Sequence, residues 1–161
     1  MSRTTDVTLR DLAEWCDAFT IGGTKAGALC GEAVVFPRHG KPAHFLTFIK
    51  KRGALLAKGR LLGVQFDALF TEDLYYRIGK YAIDKAEELK QILSEKGLSF
   101  AWESPTNQQF VVLTNAQYEA MKKQVQISFW ERPDEEHTIV RLATSWATAE
   151  EDLAALRAVT L

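Results

Sequence analysis

The chain has 161 residues, 25% charged and 47% hydrophobic, with a formal net charge of −1. That length buries one sizeable core or two small ones, the composition is that of a soluble globular protein, and the near-zero charge gives no electrostatic case for nucleic acid. No stretch has the apolar length of a membrane helix, no signal-peptide core opens the chain, and Cys16 and Cys30 form no Cys-x-x-Cys pair, so a reduced, cytoplasmic protein without a membrane partner is expected.

In chain order, Thr8 with Asp11 three residues on predicts a capped helix start, and Leu9, Leu12, Ala13 and Cys16 then share one stripe. A strand from about residue 17, a glycine-rich bend and a second strand ending near Phe36 follow. Pro37, Gly40 and Pro42 mark a loop. Residues 43–96 read as helix, interrupted near Gly53, Gly59 and Gly63, and the last helix carries Leu74, Ile78, Ala82, Leu89 and Leu93 on one face and stops at Gly97. Glu87, Glu88, Lys90, Glu95 and Lys96 read as its wet face. Residues 98–102, 109–113, 125–130 and 138–146 alternate as strands, with a short helix over 115–123, a hairpin connection over 132–136, and a closing helix capped by Thr148 and Glu151. His39, His44 and His137 show no ligand spacing, so no metal site is expected.

The residue with most chemistry in its surroundings is Lys25. It follows an apolar strand-like run and sits among Gly22, Gly23, Thr24 and Gly27. A lysine attacks a carbonyl only as the neutral amine, which calls for partial desolvation or a neighbouring cation. Small neighbours let a flat cofactor approach the backbone. Together these suit a lysine that holds pyridoxal phosphate as a Schiff base. The alternative is an ordinary solvated turn, which the same four residue types also build.

Residues 17–36 (DAFTIGGTKAGALCGEAVVF) resemble the Schiff-base segment of the threonine aldolase family, pyridoxal-phosphate enzymes of the aspartate-aminotransferase fold. The resemblance continues, in order, through residues 50–60 (KKRGALLAKGR), 104–113 (SPTNQQFVVL) and 138–146 (TIVRLATSW). It implies an α/β fold in two parts: residues 1–70 as the end of the large cofactor-binding domain, and residues 71–161 as a small C-terminal α+β domain entered by a long helix. It also implies a fragment. A parallel sheet needs more strands than residues 19–36 supply, and in the family the lysine segment lies late in the large domain. The missing half would then be another part of a longer enzyme or a separate N-terminal half.

The resemblance further implies site residues. Lys25 is the catalytic and cofactor-binding lysine, and Thr24 is its neighbour near the ring or phosphate. Lys58 and Arg60 are cations for the phosphate, with snorkelling surface cations as the alternative. Arg141 is the substrate carboxylate clamp: on a strand, Val140, Leu142 and Trp146 point one way and Arg141 the other, where a guanidinium can grip a carboxylate with two parallel hydrogen bonds. An exposed strand arginine is the alternative. Asn107 and Gln108 either line the cleft or build a turn. No ring-nitrogen carboxylate is assigned; Asp17 and Glu32 read as structural. The implied reaction is cleavage of threonine-like β-hydroxy-α-amino acids to glycine and an aldehyde, by an enzyme that is homo-oligomeric at full length. A related pyridoxal-phosphate aminotransferase or β-lyase, a non-catalytic interaction module, and an unrelated α+β binding domain are the alternatives.

Overall fold

In the computed structural model, which describes residues 4–161, the chain divides into two units, residues up to Ile78 and Gly79–Leu161. The first begins with α1 (Leu9–Trp15), and its start is the predicted capping box: Asp11 N–H donates to Thr8 Oγ1 at 3.2 Å, and Thr8 N–H donates to Asp11 Oδ2 at 2.7 Å. Then come β1 (Phe19–Gly22) and β2 (Glu32–Val35), an antiparallel pair in which Phe19 faces Val35 and Gly22 faces Glu32. The helices α2 (Phe45–Lys51) and α3 (Arg60–Phe70) follow.

Two details differ from the sequence expectation here. Helix α3 runs through Gly63 without interruption, because a helix absorbs one glycine at a cost of about 1 kcal/mol when nothing else opposes it. The real break comes at Thr71–Asp73, where Glu72 and Asp73 take the left-handed conformation at φ 51° and 57°. Neither glycine nor proline marks it.

Helix α4 (Leu74–Glu95) crosses the division between the units. It ends as expected: Gly97 has φ 73°, and Leu98 N–H returns to Leu93 O at 3.1 Å. The second unit then adds β3 (Ser99–Phe100), β4 (Gln108–Thr114), α5 (Asn115–Met121), β5 (Ser128–Glu131), β6 (His137–Ala143) and α6 (Glu150–Ala158). Its sheet is antiparallel throughout, in the order β3-β4-β6-β5. Strand alternation explains its core. Val111 and Leu113 of β4 and Val140 of β6 turn to one face and pack with Leu89, Ile92 and Leu93 of α4 and Leu153 and Leu156 of α6.

The strands are shorter than their sequence patterns. The run at 98–102 keeps strand form only at Ser99 and Phe100, with Ala101 N–H still donating to Phe110 O at 2.9 Å, and β5 starts at Ser128 rather than 125. Strand β6 stops at Ala143 because its continuation is tied elsewhere: Thr144 N–H donates to Asn107 O at 2.9 Å and Thr144 Oγ1 to Ala82 O at 2.6 Å. The closing cap is also displaced by one residue. Thr148 Oγ1 accepts from Ser145 N–H, and Asp152 rather than Glu151 closes the helix start by accepting from Ala149 N–H at 2.8 Å.

Helix α4 holds one more surprise. Lys85 lies on the buried stripe, and its ammonium is paired with Glu88 and with Glu150 of α6. Glu88, read from the sequence as part of a wet face, is thus half of a structural contact. The Glu150 hydrogen bond raises the Lys85 ammonium above its ordinary range, and Glu88 adds to it. A raised lysine stabilises the fold fully below the ordinary lysine value and stops doing so as pH climbs through the folded value. Lys85→Met is therefore expected to melt lower than the parent at neutral pH, and the gap is expected to close above about pH 10.4. Thermal melts of both proteins across pH 7–11, followed by circular dichroism, measure this. A gap that persists at high pH contradicts it.

Among the described residues, no helix is long and apolar enough to cross a membrane.

Candidate functional site

The turn that carries Lys25 is fixed from below. Between β1 and β2 the chain makes one turn of 3-10 helix, Thr24–Ala26, closed by Gly27 in the left-handed conformation at φ 96°. The N–H groups of Ala26 and Ala28 both converge on Gly23 O at 2.9 Å. Ala26 and Ala28 are buried with Leu69 of α3, with Tyr75 and Ile78 of α4 packed against them. Two long-range hydrogen bonds clamp the ends: Tyr75 Oη donates to Gly22 O at 2.8 Å, and Leu29 N–H donates to Gln65 Oε1 at 2.6 Å. Burial raises the Tyr75 phenol, with the neighbouring Tyr76 adding to the effect, which favours the protonated donor this bond requires.

Gly23 is required at its position by space rather than by φ. A Cβ there would lie 2.7 Å from Ala28 Cβ and 3.1 Å from Phe66 Cζ. Gly23→Ala is therefore expected to cost about 1–3 kcal/mol of stability through overpacking. A denaturant melt of the variant, with amide exchange localising the loss to residues 19–35, checks this. An unchanged midpoint contradicts it.

On this platform Thr24 and Lys25 are both exposed. Among the described residues, Lys25 Nζ makes no hydrogen bond and no ion pair. The partial desolvation expected from the sequence is thus not supplied by this chain, which pins the backbone beneath the amine and leaves the amine in solvent.

Lys58 and Arg60 flank Gly59, with Lys58 in the turn before α3 and Arg60 its first residue. Both are exposed. No side chain caps this helix start, but the N–H groups of Leu61 and Leu62 are taken by Lys58 O and Gly59 O at 2.9 and 3.0 Å, so what favours an anion there is the positive end of the helix dipole together with two cations. The first turn of α3 reaches the end of the Lys25 loop: Leu62 packs against Gly31, where a Cβ would lie 2.9 Å from Leu62 Cδ2. The structure thus gathers Thr24, Lys25, Lys58 and Arg60 onto neighbouring elements of one unit.

Arg141 belongs to the second unit. On β6 it stands opposite Phe110 of β4 and Ser128 of β5, on the face turned away from Val140 and the helical core. That is the side expected from alternation. Its Nη1 donates to Gln108 Oε1 at 3.3 Å, and its guanidinium carbon lies 5.8 Å from the centre of the Trp130 ring. Trp130 meets Phe110 edge-on at 4.9 Å, and Phe110 meets Trp102 at 4.5 Å. Arg141 is therefore half-buried and held from two sides, not a free surface arginine. Trp146, expected to share a face with Val140, lies beyond the strand and is exposed.

Sequence reasoning missed Trp130 and Trp102. Their approach to Phe110 depends on strand pairing and on the irregular register at Phe129/Glu131, and single-strand alternation carries neither. Asn107 has a structural job, donating to Thr144 O at 2.6 Å, whereas its neighbour Gln108 holds Arg141.

No protein-family model and no curated protein matches the chain. Among solved structures it is similar to a threonine aldolase from Leishmania major, with 38% identity and a TM-score of 0.88 over 94% of this chain and 44% of that one. It is also similar in fold to a serine palmitoyltransferase from Sphingomonas wittichii, with 13% identity and a TM-score of 0.58 over 89% of this chain and 39% of that one. The chain spans less than half the length of either. The resemblance to the threonine aldolase family read from the sequence is borne out by the first of these, and the fold is part of the pyridoxal-phosphate-dependent transferase-like fold.

Proposed function

We propose that this chain forms part of a pyridoxal-phosphate-dependent lyase that cleaves threonine-like β-hydroxy-α-amino acids to glycine and an aldehyde. The observation that carries the reading is the 38% identity to a threonine aldolase across almost the whole chain, in which residues 17–36 bear the Lys25 segment.

The residues present fit the cofactor in their chemistry. A primary amine stands exposed on a turn pinned by Gly23, Tyr75 and Gln65. Two cations at the positive end of a helix dipole lie on the neighbouring element. When bound, pyridoxal phosphate supplies an electron sink for the pair left at Cα when the Cα–Cβ bond breaks.

The rest falls to this chain's own side chains. Lys25 holds the cofactor covalently, and its amine is the group placed to carry a proton once released. Thr24 offers a hydroxyl beside it. Lys58 and Arg60 balance the phosphate charge. Arg141 orients the substrate by its α-carboxylate, with one guanidinium nitrogen already engaged by Gln108 and the face steadied by Trp130.

The exposure of Lys25 favours a chain that does not act alone. The partners in this reading are an amino-acid substrate, further copies in a homo-oligomer, and polypeptide that supplies the remainder of the cofactor domain, including the acid for the ring nitrogen. Neither nucleic acid nor membrane enters it, and the setting is the cytoplasm. The test is turnover by the assembled protein, scoring glycine and aldehyde release from threonine. Transamination of the same substrate, with an α-keto acid as product, would instead assign a different pyridoxal-phosphate reaction.

A further inference from the structure

Among the described residues, the Arg141 guanidinium has one hydrogen-bond partner, Gln108 Oε1 at 3.3 Å. A guanidinium carries five N–H donors in one plane. That single bond therefore sets the rotation of the plane, while the Trp130 ring, 5.8 Å from the guanidinium carbon, limits its tilt. How well the plane is held then depends on how well Gln108 is held.

Gln108 lies between two residues whose side chains are both bonded to backbone. Asn107 Nδ2 donates to Thr144 O at 2.6 Å, and Thr144 N–H returns to Asn107 O at 2.9 Å. Gln109, 1% exposed, donates from Nε2 to Ser104 O at 3.2 Å and to Thr106 O at 2.7 Å. The N–H of Gln108 itself donates to Thr106 Oγ1 at 3.2 Å. All of these residues belong to the second unit.

Thr144 joins this stretch to the helical layer. It is 2% exposed, and its Oγ1 donates to Ala82 O of α4 at 2.6 Å. Valine has nearly the same shape and no hydroxyl to satisfy, so filling space does not by itself call for threonine here. What the hydroxyl adds is a fixed tie between the end of β6 and α4. The charge of the acceptor on Arg141 matters as well. Gln108 is a neutral amide, so it orients the guanidinium without cancelling its charge, which stays available to an anion. A carboxylate in its place would close an ion pair with Arg141 and compete with a carboxylate ligand.

We infer that Thr144, Asn107 and Gln108 are positioning residues for Arg141. Thr144 fixes the end of β6 to α4, Asn107 carries that constraint to the start of β4, and Gln108 turns it into one orientation of the guanidinium. The inference rests on the role proposed above for Arg141 and goes beyond it by assigning residues that act through Arg141 rather than on the substrate.

The first measurement needs neither cofactor nor substrate. Rotation about the Cζ–Nη1 bond of Arg141 is followed by nitrogen-15 NMR in the full chain. It is expected to be slow in the parent and in Thr144→Ser, which keeps the hydroxyl, and faster in Thr144→Val and Gln108→Ala. The second measurement is steady-state kinetics of the assembled enzyme. Thr144→Val and Gln108→Ala are each expected to raise KM about tenfold by misplacing the clamp, with kcat and cofactor affinity unchanged and Thr144→Ser close to the parent. Gln108→Glu is expected to raise KM further than Gln108→Ala. Because Thr144 acts through Gln108, adding Thr144→Val to Gln108→Ala is expected to change KM no further. Should Thr144→Val not fold, Asn107→Ala, at a half-buried position, replaces it under the same expectations.

An Arg141 rotation indifferent to Thr144→Val and Gln108→Ala overturns the inference whatever reaction the enzyme performs. So does a KM unmoved by these substitutions while Arg141→Ala raises it, and so do additive effects in the double variant. An Arg141→Ala enzyme with the parental KM would instead remove the carboxylate role itself, and this inference with it.

Discussion

Lys25→Ala is expected to abolish covalent capture of pyridoxal phosphate by the assembled protein, with loss of the visible absorption band and of all amino-acid cleavage, while the fold stays intact. The fold should survive because Lys25 contributes nothing to it: the side chain is exposed, and the turn is held by Gly23, Ala26, Ala28, Tyr75 and Gln65. This separates the chemistry from the scaffold with one substitution. Lys25→Arg is expected to fail equally, because a guanidinium keeps a positive charge at this place but has no neutral amine to offer an aldehyde. Absorption spectra and circular dichroism of the three proteins measure both halves. A band retained in Lys25→Ala contradicts the assignment.

Arg141→Ala is expected to weaken binding of the amino-acid carboxylate by about 2 kcal/mol, roughly 30-fold, the usual size of a lost charge-assisted hydrogen bond. The loss should appear in KM far more than in cofactor binding. Arg141→Lys should recover only part of it. A lysine restores charge, but it cannot offer two parallel donors while also meeting Gln108 Oε1 and lying over Trp130. Steady-state kinetics on the assembled enzyme, with cofactor affinity measured separately, test this. Equal losses in kcat and cofactor affinity with KM unchanged contradict a carboxylate role.

How much of this was legible in the sequence depends on the range of the interaction. The Thr8–Asp11 cap, the stop at Gly97 and the strand, bend and strand around Lys25 are local: each is decided by residues within a few positions, and each formed as read. The break at Thr71–Asp73 is equally local but carries no glycine or proline, so composition gives no sign that Glu72 and Asp73 turn left-handed. Lys85 was invisible for another reason. A lysine on an apolar stripe becomes structural only because Glu150, 65 residues later, lies across from it.

The same division runs through the candidate site. The Lys25 turn announces itself through its glycines and its resemblance to a known segment. Its exposure does not, because burial of one amine depends on whatever else packs around it. Arg141 was placed on the correct face by alternation alone. Its holders were not, since Gln108 and Trp130 reach it across two strand pairings. Residues that act through long-range pairing thus stay hidden where residues on a single turn do not.

The most direct measurement is the position of a fixed label. The chain, assembled with the complementary polypeptide, is incubated with pyridoxal phosphate, reduced with borohydride and digested for peptide mass spectrometry. One pyridoxyl group is expected, on Lys25. A label fixed instead on Lys58, Lys85 or any other lysine would contradict it.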